Sequence, residues 1–452
     1  MKRCSLILLA ANSLLWVGEV YAATRPHYGG ALRIALREAP QTLDPTDAAA
    51  NVPAGLLRHV FETLVALDVN DRPQPLLATS WEAEAGNQRW RFVLRAGVNF
   101  HDGTPLDANI VAAALRASNP EWKVSSVDNA VMIQTQFADP TLPSELALAR
   151  NSIVRHADGK FSGTGPFAIA QWFPGKHLTL IASDRYWAGR PFVDTIEVEF
   201  SKNDRDQMML LDLAKADAVE VAPENIRRAQ SDGRTLATSH PEELMALVFA
   251  TDSSSDDETR ARKALAASID AAAINNVVLQ GSGEPTSALL PNWVSGYAFV
   301  FPASSSTGRK PQELLSAKQR PTWSLSYDAS DPLAHVVAER IQLNARDAGI
   351  SLRLITSGTA DVRLVRVPLL SSSPQVALAE LARKFELAQP RYESSSITEL
   401  YSAENTLLKS HRIIPLFYLR TAFAVRPSVH NWNVLPDGDL QLSSVWLSAE
   451  KP

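Results

Sequence analysis

The stretch NFHDGTPLDANIVAAALRA, residues 99–117, contains the residues best suited by type and spacing to chemistry, because His101 stands directly before Asp102. A His–Asp pair could supply two ligands of a metal-dependent hydrolase, but such an ion needs four or more ligands. The nine histidines of the chain form no His-x-x-x-His pair, and no second His–acid cluster accompanies this one. The alternative is a turn, since Asp-Gly and Thr-Pro are turn dipeptides and lie between a strand-like and a helix-like segment. The spacing favours the turn.

No other motif indicates catalysis. The sequence has no Gly-x-Ser-x-Gly and no phosphate-binding glycine loop, and GSGEP at 281–285 is an isolated turn after a helix-like segment. The single cysteine, Cys4, lies too near the start to remain after processing. We therefore expect no enzyme activity, no catalytic residue, no metal and no cofactor.

The first residues are typical of an export signal. Two basic residues precede an apolar run from Leu6 to Val17, and small or modest side chains then lead up to Ala22. This run is too short to span a bilayer. We predict a signal peptide over 1–22, cleaved near Ala22, and a periplasmic protein. Because Cys4 precedes the apolar run, the mature protein is not expected to be a lipoprotein.

Composition limits the partners. The net charge of −5 argues against nucleic acid as a ligand. Without cysteine the mature chain has no disulfide framework, so its stability must come from its core. A chain of 452 residues is long enough for two or three domains.

Strand and helix patterns alternate along the chain. Segments with period-two alternation predict half-buried strands, namely ALRIALR, RWRFVLR, HLTLIAS and TIEVEF. The clearest helix begins at Asp331-Pro332, a capping acid followed by proline, and ends at Gly349 before the strand-like ISLRLI. A second helix follows the acidic residues 256–258. Alternating elements predict an α/β fold with partly parallel sheets. Polar loops are expected at 251–258 and 302–313.

Several motifs in order along the chain resemble those of one family. They are GGALRIALREAPQTLDPT, VFETLVALDVNDRPQPLLATSWE, LRAGVNFHDGTPLDANIVAAAL, GTGPFAIAQWFPGKHLTLIASDRYWAGRPFVDTIEVEF, TRARKALAASIDAAAI, IQLNARDAGISLRL and AENTLLKSHRIIPLFYLRTAFAVRPSVHNW. The sequence is similar, over nearly all of its mature length, to family five of the extracellular solute-binding proteins. These proteins are the oligopeptide-, dipeptide- and nickel-binding components of bacterial ABC importers.

The resemblance implies a bilobed periplasmic-binding-protein-like fold of type II with a hinge. Lobe I would comprise 23–45, 163–239 and 431–452, and lobe II would span 240–430. A shortened subdomain over 46–162 would be inserted into the first lobe. Ligand would bind between the lobes, which close over it. The implied partners are a small solute, most simply a peptide, and an ABC permease at the inner membrane, with the protein itself a monomer.

Two departures from the family pattern bear on the ligand. Only SNPEWKVSS, residues 118–126, stands where members usually carry a longer run of the inserted subdomain. In the distal lobe Asp361 matches, but Val367-Pro368 replaces the expected Gly-Trp. Peptide-binding members carry an acid just after that Trp, which pairs with the α-amino group of the ligand. No such acid follows Arg366, so this salt link is not implied for the chain.

Five residues are candidates for ligand binding. Pro40 and Gln41 follow the first strand, where the family presents backbone to an extended peptide that docks like an added strand. Met245 and Phe249 alternate as on the cleft-lining strand of the family, although a plain core strand gives the same pattern. Arg366 could pair with a ligand carboxylate, or could be a solvated cation.

Peptide import is thus the expected function. A non-peptide solute such as a metal chelate, opine or sugar is the alternative that the missing acid and the short subdomain favour. A sensor or chaperone-like descendant that no longer serves transport is the alternative from another class, and an open cleft would favour it.

Overall fold

A computed structural model gives the structure of the chain and describes residues 25–47, 55–68, 70–84, 86–157, 159–200, 203–297, 321–392, 394 and 396–448. The predicted signal peptide over 1–22 and the polar loop predicted at 302–313 lie outside these residues. The described helices are α1 Ala108–Ser118, α2 Leu142–Glu145, α3 Asp204–Asp212, α4 Ile226–Ser231, α5 Asp256–Ser268, α6 Ala271–Val277, α7 Asn292–Ser295, α8 Pro332–Asp347, α9 Pro374–Lys384 and α10 Ile397–Leu408, with 3₁₀ turns at Leu56–His59, Ala149–Asn151 and Pro223–Asn225.

The described strands contribute to one large sheet and four small ones. They are β1 Ala31–Ala35, β2 Val65–Leu67, β3 Pro73–Pro75, β4 Ala78–Ala83, β5 Arg89–Leu94, β6 Lys123–Val127, β7 Ala130–Gln134, β8 Arg155–Ala157, β9 Lys160–Ser162, β10 Phe167–Phe173, β11 His177–Ala182, β12 Thr195–Glu199, β13 Ala218–Glu220, β14 Leu236–Phe249, β15 Glu284–Pro285, β16 Thr322–Ser326, β17 Ser351–Ile355, β18 Val362–Pro368, β19 Ile413–Val425, β20 Val429–His430 and β21 Trp446–Leu447.

The large sheet runs in the order β10-β11-β12-β1-β13-β19-β14-β18-β16-β17, and β15 also pairs with β19. Strand β1 is parallel to β12 and β13, and β16 is parallel to β17 and β18, whereas the other pairings are antiparallel. Helices alternate with these strands, so the predicted α/β class with partly parallel sheets is confirmed.

Two long strands connect the halves of this sheet. Strand β14 pairs with β18 through residues 243–249, and its first residues pair with the end of β19. Strand β19 returns the chain, and residues 423–425 pair with β13 in the other half. The β14–β19 ladder shifts register around Pro241 and again after Met245, which are bulges in an otherwise continuous ribbon.

The buried side chains form separate cores on the two sides of this ribbon. One side holds two clusters, around Leu32 and around Val219. The other side holds two clusters that cover opposite faces of the sheet, one under α8 and one under α9 and α10. A further core, from Leu64 to Ile153, belongs to the four-stranded sheet β4-β5-β7-β6 and α1. We call these parts the first lobe, the second lobe and the inserted subdomain.

The ribbon crosses between lobes inside strands rather than at loops. Strand β14 passes through the predicted boundary at 239/240. Strand β19 is already back in the first lobe at Phe423, which packs in the core around Leu32, whereas the sequence led us to expect the crossing at 430. Likewise Leu57 and Phe61 pack in the first-lobe core although the inserted subdomain was expected to begin at 46. The cause is that a β-strand continues through both cores, which leaves no loop signal at the crossing.

Local structure follows the sequence signals closely. Asp331 caps α8, where its carboxylate accepts from the Leu333 N–H, and Pro332 is the first helical residue. The second predicted helix is α5, capped by Ser255, with three acidic residues in its first turn. Within the described ranges, no helix combines the length and the apolar character needed to cross a membrane.

Candidate ligand-binding cleft

A cleft of about 1470 Å³ lies between the lobes. The first lobe, the inserted subdomain and the second lobe each contribute a wall. The first-lobe wall contains Leu36–Glu38, Glu220 and Arg420, the inserted-subdomain wall contains residues 135–141 and 148–150, and the second-lobe wall contains residues 363–370, much of α9 and residues 389–392.

The His101 turn fixes the inserted subdomain to the first lobe and does not form part of the cleft wall. The imidazole Nε2 of His101 lies 2.9 Å from the Gly165 carbonyl oxygen, and the His101 N–H donates to the Gly163 carbonyl oxygen at 2.9 Å. Asp102 accepts from the Thr104 N–H at 2.9 Å and pairs with Arg155. Burial lowers the pKa of His101, which disfavours the charged form of the ring. The predicted structural role of this turn is confirmed by these contacts.

A buried carboxylate organises the same junction. Glu62 accepts hydrogen bonds from the Thr164 hydroxyl at 2.8 Å, the Tyr186 hydroxyl at 2.8 Å and the Trp187 indole N–H at 3.0 Å. The Arg95 guanidinium lies 4.2 Å from the centre of the Trp187 ring. Burial raises the pKa of Glu62, and the three donors oppose that shift. The sequence motifs GTGPF and RYW therefore meet at one acid of the motif VFETL.

Gly163 is needed at this junction because the chain passes too close for a side chain. A Cβ atom there would lie 1.9 Å from the Val60 carbonyl oxygen. This close packing fixes the Gly163 backbone, whose carbonyl oxygen accepts from the His101 N–H of the inserted subdomain, and so helps to position that subdomain as one wall of the cleft.

Arg366 reaches the cleft, but its guanidinium is already paired. Its Nε lies 3.0 Å from the Glu243 carboxylate, and its Nη1 lies 2.9 Å from Asp331, the residue that caps α8. Burial alone would lower the pKa of Arg366, but the charges of Glu243 and Asp331 outweigh it and hold the pKa above its ordinary value. The side chain is 15% exposed, so one edge of this ion triad faces the cleft. Its interpretation as a simply solvated cation is wrong.

The other four candidates lie beside or below the cleft. Met245 and Phe249 are 0% and 2% exposed and pack in the second-lobe core under α8. They are therefore core residues, and their side chains do not form part of the cleft wall. Pro40 is buried and Gln41 exposed, just beyond Leu36–Glu38 in the first-lobe wall. Their role in ligand binding stays a prediction.

Three charged residues of the cleft wall, Glu38, Arg363 and Arg420, were not among the candidates predicted from the sequence. The enclosing walls desolvate Glu38 and raise its pKa, the Arg366 charge opposes this, and Glu243 and Glu220 add to it. Arg363 and Arg420 are exposed on the wall, and neither pairs with another side chain in the part of the chain that the structure describes. The only sequence signal for Arg363 was its position in the RLVR motif, which does not distinguish it from Arg366.

Glu242 occupies the hinge ribbon itself. Its carboxylate accepts from the Thr421 hydroxyl at 2.6 Å and from the Thr421 N–H at 3.1 Å, which joins β14 to β19. Burial raises the pKa of Glu242 well above its ordinary value, and the nearby Glu243 charge adds to this shift.

The inserted subdomain also touches the second lobe across the mouth of the cleft. Arg150 lies 2.6 Å from Glu380 of α9, and its other nitrogen lies 2.9 Å from Glu145 in its own subdomain. Beside this pair, the Arg391 guanidinium lies 4.1 Å from the centre of the Phe137 ring. The cleft is therefore closed on this side in the structure.

A bilobed α/β fold with a hinge ribbon and an enclosed interlobe cleft defines a periplasmic-type solute-binding protein. The sequence profile of the bacterial extracellular solute-binding proteins, family 5 (middle region), matches residues 72–367. The chain belongs to this family, which consists of binding proteins of periplasmic or extracellular location.

The chain shares modest sequence identity with several relatives. The chain is 33% identical over 208 residues to the uncharacterized protein YhjP of Bacillus subtilis, a match that covers 42% of this chain and 36% of that protein. It is 22% identical over 362 residues to the probable D,D-dipeptide-binding periplasmic protein DdpA of Escherichia coli, which covers 72% of this chain and 70% of DdpA. The match thus spans about a third of YhjP and more than two thirds of DdpA.

Solved structures share the fold. AppA, the oligopeptide-binding protein of Bacillus subtilis in complex with a nonapeptide, superposes with a TM-score of 0.79 at 17% identity and covers 94% of this chain and 100% of AppA. NikA of Staphylococcus aureus in complex with Ni(L-His)2 gives the same TM-score, 0.79, at 17% identity and covers 92% of this chain and 100% of NikA. These similarities confirm the predicted bilobed architecture.

Proposed function

We infer that this chain is the exported substrate-binding component of an ABC-type uptake system, which captures a peptide or a similar extended polar solute and delivers it to a membrane permease. The observation that carries the proposal is the interlobe cleft of about 1470 Å³ with charges of both signs on its walls. Such a cavity exceeds the size of most small-molecule pockets and suits a ligand several residues long.

Charged side chains of both signs on the cleft walls support a zwitterionic ligand. Arg363 and Arg420 offer donors that no described side chain occupies, and an Arg pairs well with a carboxylate. Glu38 and Glu220 line the first-lobe wall and can accept from an ammonium group. The probable dipeptide binder DdpA and the nonapeptide complex of AppA agree with this class of ligand.

Native mass spectrometry of protein purified from its own host tests the proposal, followed by denaturation to release any bound molecule. Synthetic peptides are then added to the emptied protein, and its melting temperature is measured. A ligand present at about 100 times its Kd stabilises the folded state by about 2.7 kcal/mol. Release of short peptides and a matching thermal shift would support the proposal. An empty protein that no peptide stabilises would contradict peptide capture.

A metal chelate or another non-peptide solute is a second candidate. It is favoured by two observations: Arg366 is already paired with Glu243 and Asp331, so it offers less to a peptide carboxylate, and no acid follows Val367-Pro368 to pair with a peptide α-amino group. NikA, bound to Ni(L-His)2, has the same fold. Metal analysis of the molecules released on denaturation separates the two candidates.

A further inference from the structure

The inserted subdomain and the second lobe touch each other, but the chain does not pass directly from one to the other. The chain leaves the inserted subdomain for the first lobe, and of the described strands only β14 and β19 continue from the first lobe to the second. The Arg150–Glu380 and Arg391–Phe137 contacts therefore join two bodies that can separate when the hinge ribbon bends.

The ion pairs form a chain of alternating charge across this gap. Glu145, Arg150, Glu380 and Arg383 follow one another at 2.9, 2.6 and 2.7 Å. The Glu380 side chain is 6% exposed and that of Arg150 is 23% exposed, so solvent screens the central pair weakly. Burial raises the pKa of Glu145 to about 7, and Arg150 opposes that shift.

Each half of this chain stays charge-paired after separation. If the lobes part, Arg150 retains Glu145 in the inserted subdomain, and Glu380 retains Arg383 on α9. Opening therefore leaves no buried charge without a partner of opposite sign. The geometry suits a contact that forms and breaks repeatedly.

We propose that Arg150 and Glu380 form a reversible clasp, by which the inserted subdomain holds the second lobe and stabilises the closed form of the cleft. The clasp regulates the cleft of the proposed function and rests on it in that respect. The short inserted subdomain closes the cleft through this contact, and the Phe137–Arg391 contact beside it adds to the closed state.

The distance between the two bodies tests the clasp directly. Spin labels are placed at Lys123 on the inserted subdomain and Arg346 on the second lobe, both exposed, in a chain that carries Cys4→Ser. The distribution of distances between the two labels is recorded by double electron–electron resonance spectroscopy without added ligand. Glu380→Gln keeps the shape of the side chain and removes its charge, and we expect the ratio of closed to open molecules to fall about tenfold, as for a partly buried ion pair.

Matched variants make the result specific. Arg150→Gln should give the same shift as Glu380→Gln, and the double variant should exceed neither single variant by much, since both remove one interaction. Asp212→Asn breaks an exposed ion pair with Arg234 within the first lobe and should leave the distances unchanged. Thermal melts confirm that each variant folds.

Superimposable distances for wild type, Glu380→Gln and Arg150→Gln would overturn the clasp. Failure of the proposed function has a different signature, because ligand binding is read independently from the melting temperature. Distances that respond to Glu380→Gln in a protein that no peptide or chelate stabilises would support the clasp and contradict capture of a peptide or a chelate. A ligand that binds while these distances stay fixed would do the reverse.

Discussion

The Glu242 carboxylate accepts a hydrogen bond from the Thr421 hydroxyl at 2.6 Å, and this bond joins the two strands that run between the lobes. Both residues line the cleft, so the bond lies where hinge and ligand site meet. A carboxyl group in this position couples proton binding to the folded hinge.

Stability should therefore depend on pH through Glu242. Its pKa in the folded protein is raised, so the folded state binds the proton more tightly than the unfolded chain does. This group favours folding when pH is below its folded pKa, and that contribution is lost as pH rises through it. Glu242→Gln should remove the part of the pH dependence that comes from this group and stabilise the protein by about 1–2 kcal/mol at pH 8, measured by urea unfolding at pH 5 and pH 8. The exposed Glu82→Gln is the control, and an equal gain there would refute the assignment.

Loss of Arg366 should be costly. Arg366→Ala leaves Glu243 and Asp331 as unpaired, largely buried carboxylates, and we expect a loss of about 3–5 kcal/mol in the free energy of unfolding. Arg363→Ala on the same strand removes an exposed side chain and should change stability by less than about 0.5 kcal/mol. Chemical denaturation of both variants measures the difference. Similar losses in both would show that the triad contributes little.

The seam between the first lobe and the inserted subdomain should weaken when Glu62 loses a donor. Trp187→Phe removes the indole N–H at 3.0 Å but keeps an aromatic ring under Arg95, and we expect a loss of about 1–3 kcal/mol. Trp81→Phe is the matched control, because the Trp81 indole N–H has no hydrogen-bond partner within the described ranges. Thermal unfolding compares the two, and a larger effect at Trp81 would contradict the role of Glu62.

Arg420 and Arg363 should contribute to affinity if the ligand carries a carboxylate. For any peptide found to bind, Arg420→Gln or Arg363→Gln should weaken binding about 10-fold, the typical value of one charged hydrogen bond. Amidation of the peptide C-terminus should weaken binding to wild type by the same factor. It should have little further effect on the variant that lacks the arginine that pairs with the carboxylate. Calorimetry measures these affinities, with Lys176→Gln outside the cleft as control. Unchanged affinity in both Arg variants would place the ligand carboxylate elsewhere.

Much of the fold could be predicted because its signals are local. The cap at Asp331, the alternation in RWRFVL and the turn after His101 each depend on a few neighbouring residues, and the structure follows all three. The cleft residues could not be predicted this way. Period-two alternation on β14 separates two faces, but helices cover both faces in the second lobe, so Met245 and Leu244 are equally buried. Only the three-dimensional position of the strand ends decides which residues reach the cleft.

The difference between Arg363 and Arg366 has the same origin. Both are cations on β18, three positions apart, and nothing in the sequence distinguishes them. Arg366 lies opposite Met245 on β14 and near Glu243 and the start of α8, which neutralise it, whereas Arg363 projects without a partner among the described residues. The partners come from segments distant in sequence, so pairing is a property of the fold.

The paired strands β14 and β19 also determine how the two lobes can move relative to each other. Neighbouring strands joined by a hydrogen-bonded ladder cannot slide past each other without breaking many bonds at once, but they can bend and twist together. The ladder shifts register around Pro241 and again after Met245, and at these levels the ribbon is easiest to bend. We therefore expect the lobes to rotate relative to each other about an axis that crosses the paired strands at these levels, so that each closure brings the same two walls of the cleft together.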